Sequence, residues 1–213
     1  LENGISFDEA SLIEPLSCVL NGSRAVRVEL GDTVLIFGAG PIGLLHIDLA
    51  RQSGAARVIA ADVRDARLEQ ARERGADVVI NPSGSDLKAQ LLDLTGGMGA
   101  DAIITACSVP AVQAQSLQLL APCGRVCFFG GLPKGGSEVQ LDTNLIHYRN
   151  LVVTGMTGGA PRDFQDALRL VEAGRIDLSS LISHRYPPEK MAQAFETASD
   201  GAALKVVITH QQN

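Results

Sequence analysis

Residues 33–43, Thr-Val-Leu-Ile-Phe-Gly-Ala-Gly-Pro-Ile-Gly, decide the fold of this chain. The first five form an unbroken apolar run, which is typical of a β-strand covered on both faces. Glycines follow at positions 38, 40 and 43, and Pro41 opens a segment that predicts a helix over 41–52. A glycine-rich turn between a buried strand and a helix predicts a dinucleotide-binding βαβ unit.

Each residue of this loop has a chemical reason to be there. Gly38 permits the sharp turn out of the strand, Gly40 lets the backbone approach a pyrophosphate, and Gly43 lets the helix lie close to the strand. The helix start presents free N–H groups and a positive dipole end to phosphates. The residues predicted to bind the pyrophosphate are Gly38, Gly40, Pro41, Ile42 and Gly43.

Asp62 ends the second predicted strand, 19 positions after the last glycine of the loop. A carboxylate there can accept hydrogen bonds from ribose hydroxyls and would repel a 2′-phosphate, which favours NAD over NADP. The alternative is a helix cap, but Asp65 is better placed for that role, which leaves Asp62 free. Arg64 and Arg67 could flank the adenine, or hold a 2′-phosphate instead. Because Asp62 occupies the ribose-reading position, we predict NAD and include Arg67 in its site.

Strands and helices alternate along the first two thirds of the chain. Predicted strands cover 33–37, 57–61, 78–80, 102–105, 124–129 and 151–154, and predicted helices cover 41–52, 65–74, 86–94 and about 110–120. Strands separated by helices pair in parallel, because parallel neighbours need crossover connections. The sequence therefore predicts an α/β fold, a doubly wound Rossmann domain with a six-stranded parallel sheet.

The alternation stops after the sixth strand. Gly158-Gly-Ala-Pro161 interrupts the chain, and helices over 162–173 and 189–198, a turn at Tyr186-Pro-Pro188 and a strand over 205–208 are predicted beyond it. This change predicts a second structural unit. We expect residues 158–213 to lie outside the Rossmann domain.

The composition indicates a globular protein. Hydrophobic residues make up 46% of the 213 residues, and 18 Lys and Arg face 24 Asp and Glu. No stretch concentrates positive charge, so we expect no nucleic-acid partner, and the apolar runs are too short for a membrane span. Cys18, Cys107, Cys123 and Cys127 have neither zinc-clip nor disulfide spacing, which predicts mostly buried free thiols in a reducing cytoplasm, with Cys123 and Cys127 in the core.

A second candidate for chemistry precedes the first strand. Glu14 and Cys18 lie four residues apart, so on a helix they share one face, which could point at the reactive end of the cofactor. The alternative is an exposed glutamate and a small buried cysteine. None of the four histidines has a metal-ligand spacing, and His46 is expected to pack inside the first helix.

Five ordered motifs together resemble the zinc-dependent medium-chain dehydrogenases, with the sorbitol (polyol) dehydrogenase branch nearest and threonine dehydrogenase close to it. The motifs are Glu14-Pro-Leu, Gly31-Asp-Thr-Val, Gly38-Ala-Gly-Pro-Ile-Gly43, Gly96-Gly-Met-Gly-Ala-Asp101 and His184-Arg-Tyr-Pro187. That family has a GroES-like catalytic domain at its N terminus. The resemblance implies that this chain lacks most of that domain, that residues 1–14 are its exit, that residues 15–157 form the NAD-binding Rossmann domain, and that residues 158–213 return to the catalytic domain.

The resemblance also implies roles for single residues. Glu14 matches a glutamate beside the catalytic zinc, and Cys18 matches a position against the nicotinamide ring. Met156 and Gly158 match positions whose backbone holds the carboxamide. Polyol enzymes often carry a substrate-side arginine in this last stretch, but this chain has Met156-Thr-Gly-Gly159, which argues against sorbitol itself as the substrate.

In such an enzyme, zinc acts as a Lewis acid on the substrate hydroxyl while a hydride passes to NAD. The main zinc ligands would lie in the missing region, so we expect this chain to bind NAD without turnover. The resemblance further implies a cytoplasmic homodimer or homotetramer, joined through the sheet edge at 151–154, that acts on a small alcohol or polyol. The alternatives are a threonine dehydrogenase-like enzyme, a non-catalytic NAD-sensing domain and a methyltransferase.

Overall fold

The computed structural model of the protein describes residues 4–210. The strands are β1 (Thr33–Phe37), β2 (Arg57–Ala61), β3 (Val78–Ile80), β4 (Ala100–Thr105), β5 (Leu120–Phe128), β6 (Val152–Gly155), β7 (Ile182–Tyr186) and β8 (Lys205–Ile208). The α-helices are α1 (Phe7–Ala10), α2 (Ile13–Val26), α3 (Pro41–Gln52), α4 (Asp65–Glu73), α5 (Leu87–Leu94), α6 (Pro110–Leu119), α7 (Thr143–Arg149), α8 (Pro161–Glu172) and α9 (Met191–Ser199). Within residues 4–210, none of these helices combines the length and the apolar character that crossing a bilayer requires.

The first six strands form one parallel sheet in the order β3-β2-β1-β4-β5-β6. The chain moves outward from β1 to β3, returns to the centre at β4, and then moves outward in the opposite direction to β6. This order confirms the predicted doubly wound Rossmann sheet. It also creates a switch point between the carboxyl ends of β1 and β4, which is where such sheets bind ligands.

Apolar side chains fill both faces of the central strands. Val34, Leu35 and Ile36 of β1 and Ile103 of β4 are 0% exposed. A strand with crossover helices on both faces has no solvent-facing side, and therefore no need for polar residues at alternate positions. This is why the unbroken apolar run of β1 predicts its place in the middle of the sheet.

The chain divides into two compact units. Cys18–Gly158 form one unit, which holds the six-stranded sheet, and the residues up to Ser17 together with those from Gly159 form the other. In the second unit, β7 and β8 pair in parallel as a two-stranded sheet, and α9 contacts both strands.

The fifth strand differs from its prediction because it contains a bulge. Ala100 pairs with Leu120 and Ala102 pairs with Arg125, so the intervening residues of β5 leave the ladder. Cys123 adopts a φ of 62° there, directly after Pro122, a sequence position at which a type II turn favours glycine. The core role predicted for Cys123 is wrong, since it is exposed, whereas Cys127 is buried as expected.

Three elements, α1, α7 and β7, were not predicted, and one helix cap was assigned to the wrong residue. Helix α7 is short, and its N-cap is Asp142, whose side chain accepts a hydrogen bond from the Asn144 amide at 3.0 Å. Strand β7 has mostly exposed side chains, so it lacks an apolar pattern, and Tyr186 ends it instead of opening a turn. The N-cap of α4 is Arg64, and Asp65 is the first residue of the helix proper.

His46 lies in the interior of α3, as the sequence predicts. It is 0% exposed, and its ring meets the Phe129 ring edge to face, with 4.6 Å between the centroids. Neither ring nitrogen has a hydrogen-bond partner in the part of the chain that the structure describes. Burial lowers the pKa of His46 from 6.5 to about 3, because an imidazolium without hydration or a partner is strongly disfavoured.

This burial predicts a specific loss of stability in acid. The folded chain keeps His46 neutral while the unfolded chain protonates it below about pH 6.5, so stability falls by about 1.4 kcal/mol between about pH 7.5 and pH 5.5. His46→Met removes the titrating group and retains an apolar side chain. Urea unfolding at about pH 7.5 and pH 5.5 should show a smaller drop for the variant than for the wild type, by roughly that amount.

The matched control is His147→Met, because His147 is exposed on α7. An exposed imidazole is hydrated in the folded and the unfolded chain alike, so this variant should keep the wild-type drop. Equal drops in the wild type and in His46→Met would contradict the assignment.

Candidate functional site

The loop that connects β1 to α3 has the shape of a phosphate-binding turn. Gly38 adopts a φ of 93° as the chain leaves β1, and its amide donates to the Ala61 carbonyl at 2.8 Å. Gly40 is the N-cap of α3 and provides no side-chain cap, so the first amides of this 12-residue helix have no side-chain acceptor at that position. Such amides and the helix dipole favour an anion.

Gly43 and Gly40 lack side chains for different reasons. A Cβ atom at Gly43 would lie 1.7 Å from the Gly38 carbonyl oxygen, so α3 contacts the loop only because that atom is absent. A Cβ atom at Gly40 would meet only Arg67, at 3.9 Å from Nη1. Gly43 is therefore required by packing, whereas the space above Gly40 is open to a ligand.

Asp62 follows β2 at the same edge of the sheet and is 8% exposed. Its Oδ2 accepts a hydrogen bond from the Ala39 amide at 2.8 Å, and its Oδ1 accepts one from the Arg64 amide at 2.9 Å. The expectation that Asp62 is left free by a capping Asp65 is wrong. Asp65 instead accepts a hydrogen bond from Asn81 Nδ2 at 2.7 Å, and Asp62 anchors the glycine loop.

Arg67 brings a positive charge to this loop. Its Nη1 lies 3.7 Å from Asp62 Oδ2, and its side chain is 30% exposed. Gly40, Asp62 and Arg67, which the sequence predicts as one site, therefore lie together in the structure. The guanidinium and the start of α3 are positive, and the carboxylate beside them is negative, so the site offers groups for both a phosphate and a hydroxyl donor.

The other predicted contacts lie elsewhere in the same unit. Cys18 is half-buried in α2, and the half-buried Met156 and exposed Gly158 follow β6. Asn21 of α2 donates from Nδ2 to the Gly158 carbonyl at 2.9 Å, so α2 and the loop after β6 are in contact. Asn21 was not predicted, because nothing in the local sequence relates it to a residue 137 positions away.

Cys107 is a further residue at this edge that sequence analysis missed. It follows β4, the central strand beside β1, and it is half-buried. The signal available in the sequence was its place just after a predicted strand. That signal is informative only once the strand order places β4 next to β1.

Glu14 lies in the other unit, exposed in the first turn of α2. Residues 4–210 contain no group of three or more His, Cys, Asp or Glu side chains that could hold a metal ion. The described donors thus do not form a zinc site by themselves.

Comparison with known proteins agrees with this geometry. The family model described as zinc-binding dehydrogenase matches residues 41–173, which is more than half of the chain. An L-threonine 3-dehydrogenase from Pyrococcus abyssi is 38% identical over 93% of this chain and 57% of its own length. A sorbitol dehydrogenase from Halalkalibacterium halodurans is 31% identical over 98% of this chain and 61% of its own.

A solved structure has the same fold. An alcohol dehydrogenase from Escherichia coli CFT073, crystallised with NADH, superposes with a TM-score of 0.89 at 26% identity, over 98% of this chain and 61% of that protein. The chain spans less than two thirds of the length of each of these relatives. The matched family model and the shared fold agree with the ordered motifs of the sequence, and this chain belongs to the zinc-binding, medium-chain dehydrogenase family.

Proposed function

We propose that residues Gly38–Gly43, Asp62 and Arg67 bind NAD, and that the protein to which this chain belongs oxidises a secondary alcohol. The observation that carries the proposal is the open start of α3 above Gly40, flanked by a carboxylate and a guanidinium. Bound NAD supplies a hydride acceptor at its nicotinamide ring. The family relationship supports this use of the site.

Each group has a distinct role in the proposal. The amides at the start of α3, in Ile42 and Gly43, bind the pyrophosphate, and Arg67 contributes positive charge beside them. Asp62 accepts hydrogen bonds from the adenosine ribose. A carboxylate has about four lone-pair positions, so two backbone donors leave Asp62 acceptor capacity for the hydroxyls.

The proposed binding of the nicotinamide end of NAD is supported by the family resemblance and by one contact. Cys18 lies against the ring, and the backbone of Met156 and Gly158 holds the carboxamide. The hydrogen bond from Asn21 to the Gly158 carbonyl supports this arrangement, because it fixes the loop after β6 against the helix that carries Cys18.

Zinc is the second cofactor that the family implies. The described residues do not provide a complete donor set, so we derive no step through zinc. We place Glu14 near the metal and the main ligands in sequence outside this chain, and we assign residues 1–14 and 158–213 to the catalytic domain. This chain alone would then bind NAD without oxidising an alcohol.

The proposed assembly is a cytoplasmic homodimer or homotetramer. Strand β6 ends the six-stranded sheet, and Val152 within it is 37% exposed. A second copy of the chain could extend the sheet along this strand.

Substitution of Asp62 can separate its role in anchoring the loop from its role in binding the ribose. Asp62→Ala removes the loop anchor, which weakens NADH and NADPH alike, and it removes the negative charge, which weakens NADH only. Isothermal titration calorimetry should show the NADH affinity falling by about tenfold more than the NADPH affinity, as expected for a lost charged hydrogen bond. Asp65→Ala is the matched control and should change neither affinity. If Asp62→Ala lowered the affinities for NADH and NADPH equally, the proposal that Asp62 binds the ribose would be wrong.

Substitutions at Gly40 and Gly43 test which glycine of the loop leaves space for the cofactor and which is needed for packing. Gly40→Val should keep the melting temperature, because a Cβ atom at this position would have only Arg67 within 4 Å, but it should weaken NADH and NADPH binding by about tenfold or more. Gly43→Ala should lower stability by about 3 kcal/mol, because its Cβ overlaps the Gly38 carbonyl. Normal NADH binding by a folded Gly40→Val protein would place the pyrophosphate elsewhere.

The substrate is identified by assaying NADH formation with the complete, zinc-containing protein. NADH formation should occur with a polyol such as xylitol, and the same assay on residues 1–213 alone should give none. The 38% identity to an L-threonine 3-dehydrogenase makes L-threonine the second candidate. A higher kcat/KM for L-threonine than for every polyol would favour that alternative, and turnover by the isolated chain would contradict the division of roles.

A further inference from the structure

Three strand ends meet at the switch point of the large sheet. The Ala106 amide donates to the Phe37 carbonyl of β1 at 2.8 Å, and the Gly130 amide donates to the Thr105 carbonyl of β4 at 2.7 Å. The chain leaving β4 is therefore held between the chains leaving β1 and β5. This is the edge at which the proposed NAD site lies.

The two flanking chains have glycine where they pass β4. A Cβ atom at Gly38 would lie 2.8 Å from the Ala106 carbonyl oxygen, and one at Gly130 would lie 2.4 Å from the Cys107 carbonyl oxygen. Neither position can hold a side chain without moving backbone. Cys107 is thus the residue that presents a side chain between them.

Cys107 lies close to the phosphate loop. A Cβ atom added at Gly38 would lie 3.4 Å from Cys107 Cβ, so the two residues are close neighbours. Burial raises the pKa of the Cys107 thiol, a hydrogen bond with the Val109 backbone opposes that shift, and the negative charge of Asp62 adds to it. The thiol is therefore within the electrostatic reach of the carboxylate assigned to the ribose.

We infer that Cys107 is a cofactor-contact residue, whose side chain forms the wall of the dinucleotide crevice on the β4 side of the glycine loop, across β1 from Asp62. The inference rests on the proposed function, because it takes the ligand at this edge to be NAD. Two consequences follow. Bound cofactor covers the thiol, and the crevice accepts only a small side chain at position 107.

The exposed thiol of Cys123 is an internal control for the accessibility of the Cys107 thiol. Cys123 is exposed in the bulge near the amino end of β5, whereas the crevice lies at the carboxyl ends of the strands. Cys127 is buried in β5, and burial raises its pKa to about 11. A cofactor in the crevice should therefore shield Cys107 and leave Cys123 unchanged.

The experiment is alkylation of the 213-residue chain by iodoacetamide, with and without saturating NADH, followed by peptide mass spectrometry. Each thiol loses its proton, its sulfur forms a bond to carbon, and iodide leaves. NADH binding is measured on the same sample by its fluorescence. We expect NADH to slow alkylation at Cys107 by about tenfold or more and to leave the rate at Cys123 unchanged.

The outcomes separate the two hypotheses. If NADH binds and the Cys107 rate does not change, the wall assignment is wrong while the proposed function stands. If NADH does not bind, the proposed function fails and the inference fails with it. Protection of Cys107 and Cys123 to the same degree would mean a general loss of mobility, and it would also overturn the assignment.

A size series at the same position gives a second measurement. Cys107→Ser should bind NADH within about threefold of the wild type, and Cys107→Phe should bind about tenfold more weakly or worse, because its ring occupies the crevice. The melting temperature of each variant shows whether it folds. Unchanged affinity in a folded Cys107→Phe protein would contradict the wall assignment.

Discussion

The close approach of α3 to the end of β1 is the constraint on which the rest of the site depends. A single methyl group at position 43 would overlap the Gly38 carbonyl oxygen, so the helix can begin beside the strand only with glycine there. This contact directs the first amides of α3 to the carboxyl edge of the sheet, where Asp62 also lies. A polar site thus follows from a requirement of backbone packing.

The carboxylate of Asp62 links the shape of the loop to its charge. By accepting the Ala39 amide it holds the loop in place, and by lying 3.7 Å from Arg67 it positions the positive group nearest Gly40. The geometry of the loop and the charge of the site are consequently not independent properties of this fold. A substitution of Asp62 that alters the charge also releases one anchor of the glycine loop.

Local sequence was sufficient for the strands of the large sheet, its doubly wound class and the turn, but not for contacts between distant residues. The apolar run of β1 and the glycines that follow it have periodicity and composition that can be recognised directly. The hydrogen bond that Asp62 accepts from Ala39, the Asn21 contact and the position of Cys107 depend on which strands become neighbours. The bulge of β5 depends on backbone approaching backbone, since a Cβ atom at Gly99 would lie 2.5 Å from the Leu119 carbonyl oxygen. No pattern of side chains reports that approach.

The hydrogen bond between Asn21 and Gly158 has a consequence for how the protein is made. It joins positions 137 residues apart that lie near the entry and the exit of the sheet-bearing unit, so the two ends of that unit are adjacent. An element whose ends meet can be inserted into a host chain without separating the host segments on either side. During synthesis, this inserted unit is complete before strands β7 and β8 leave the ribosome, so it can fold first and the interrupted host closes afterwards.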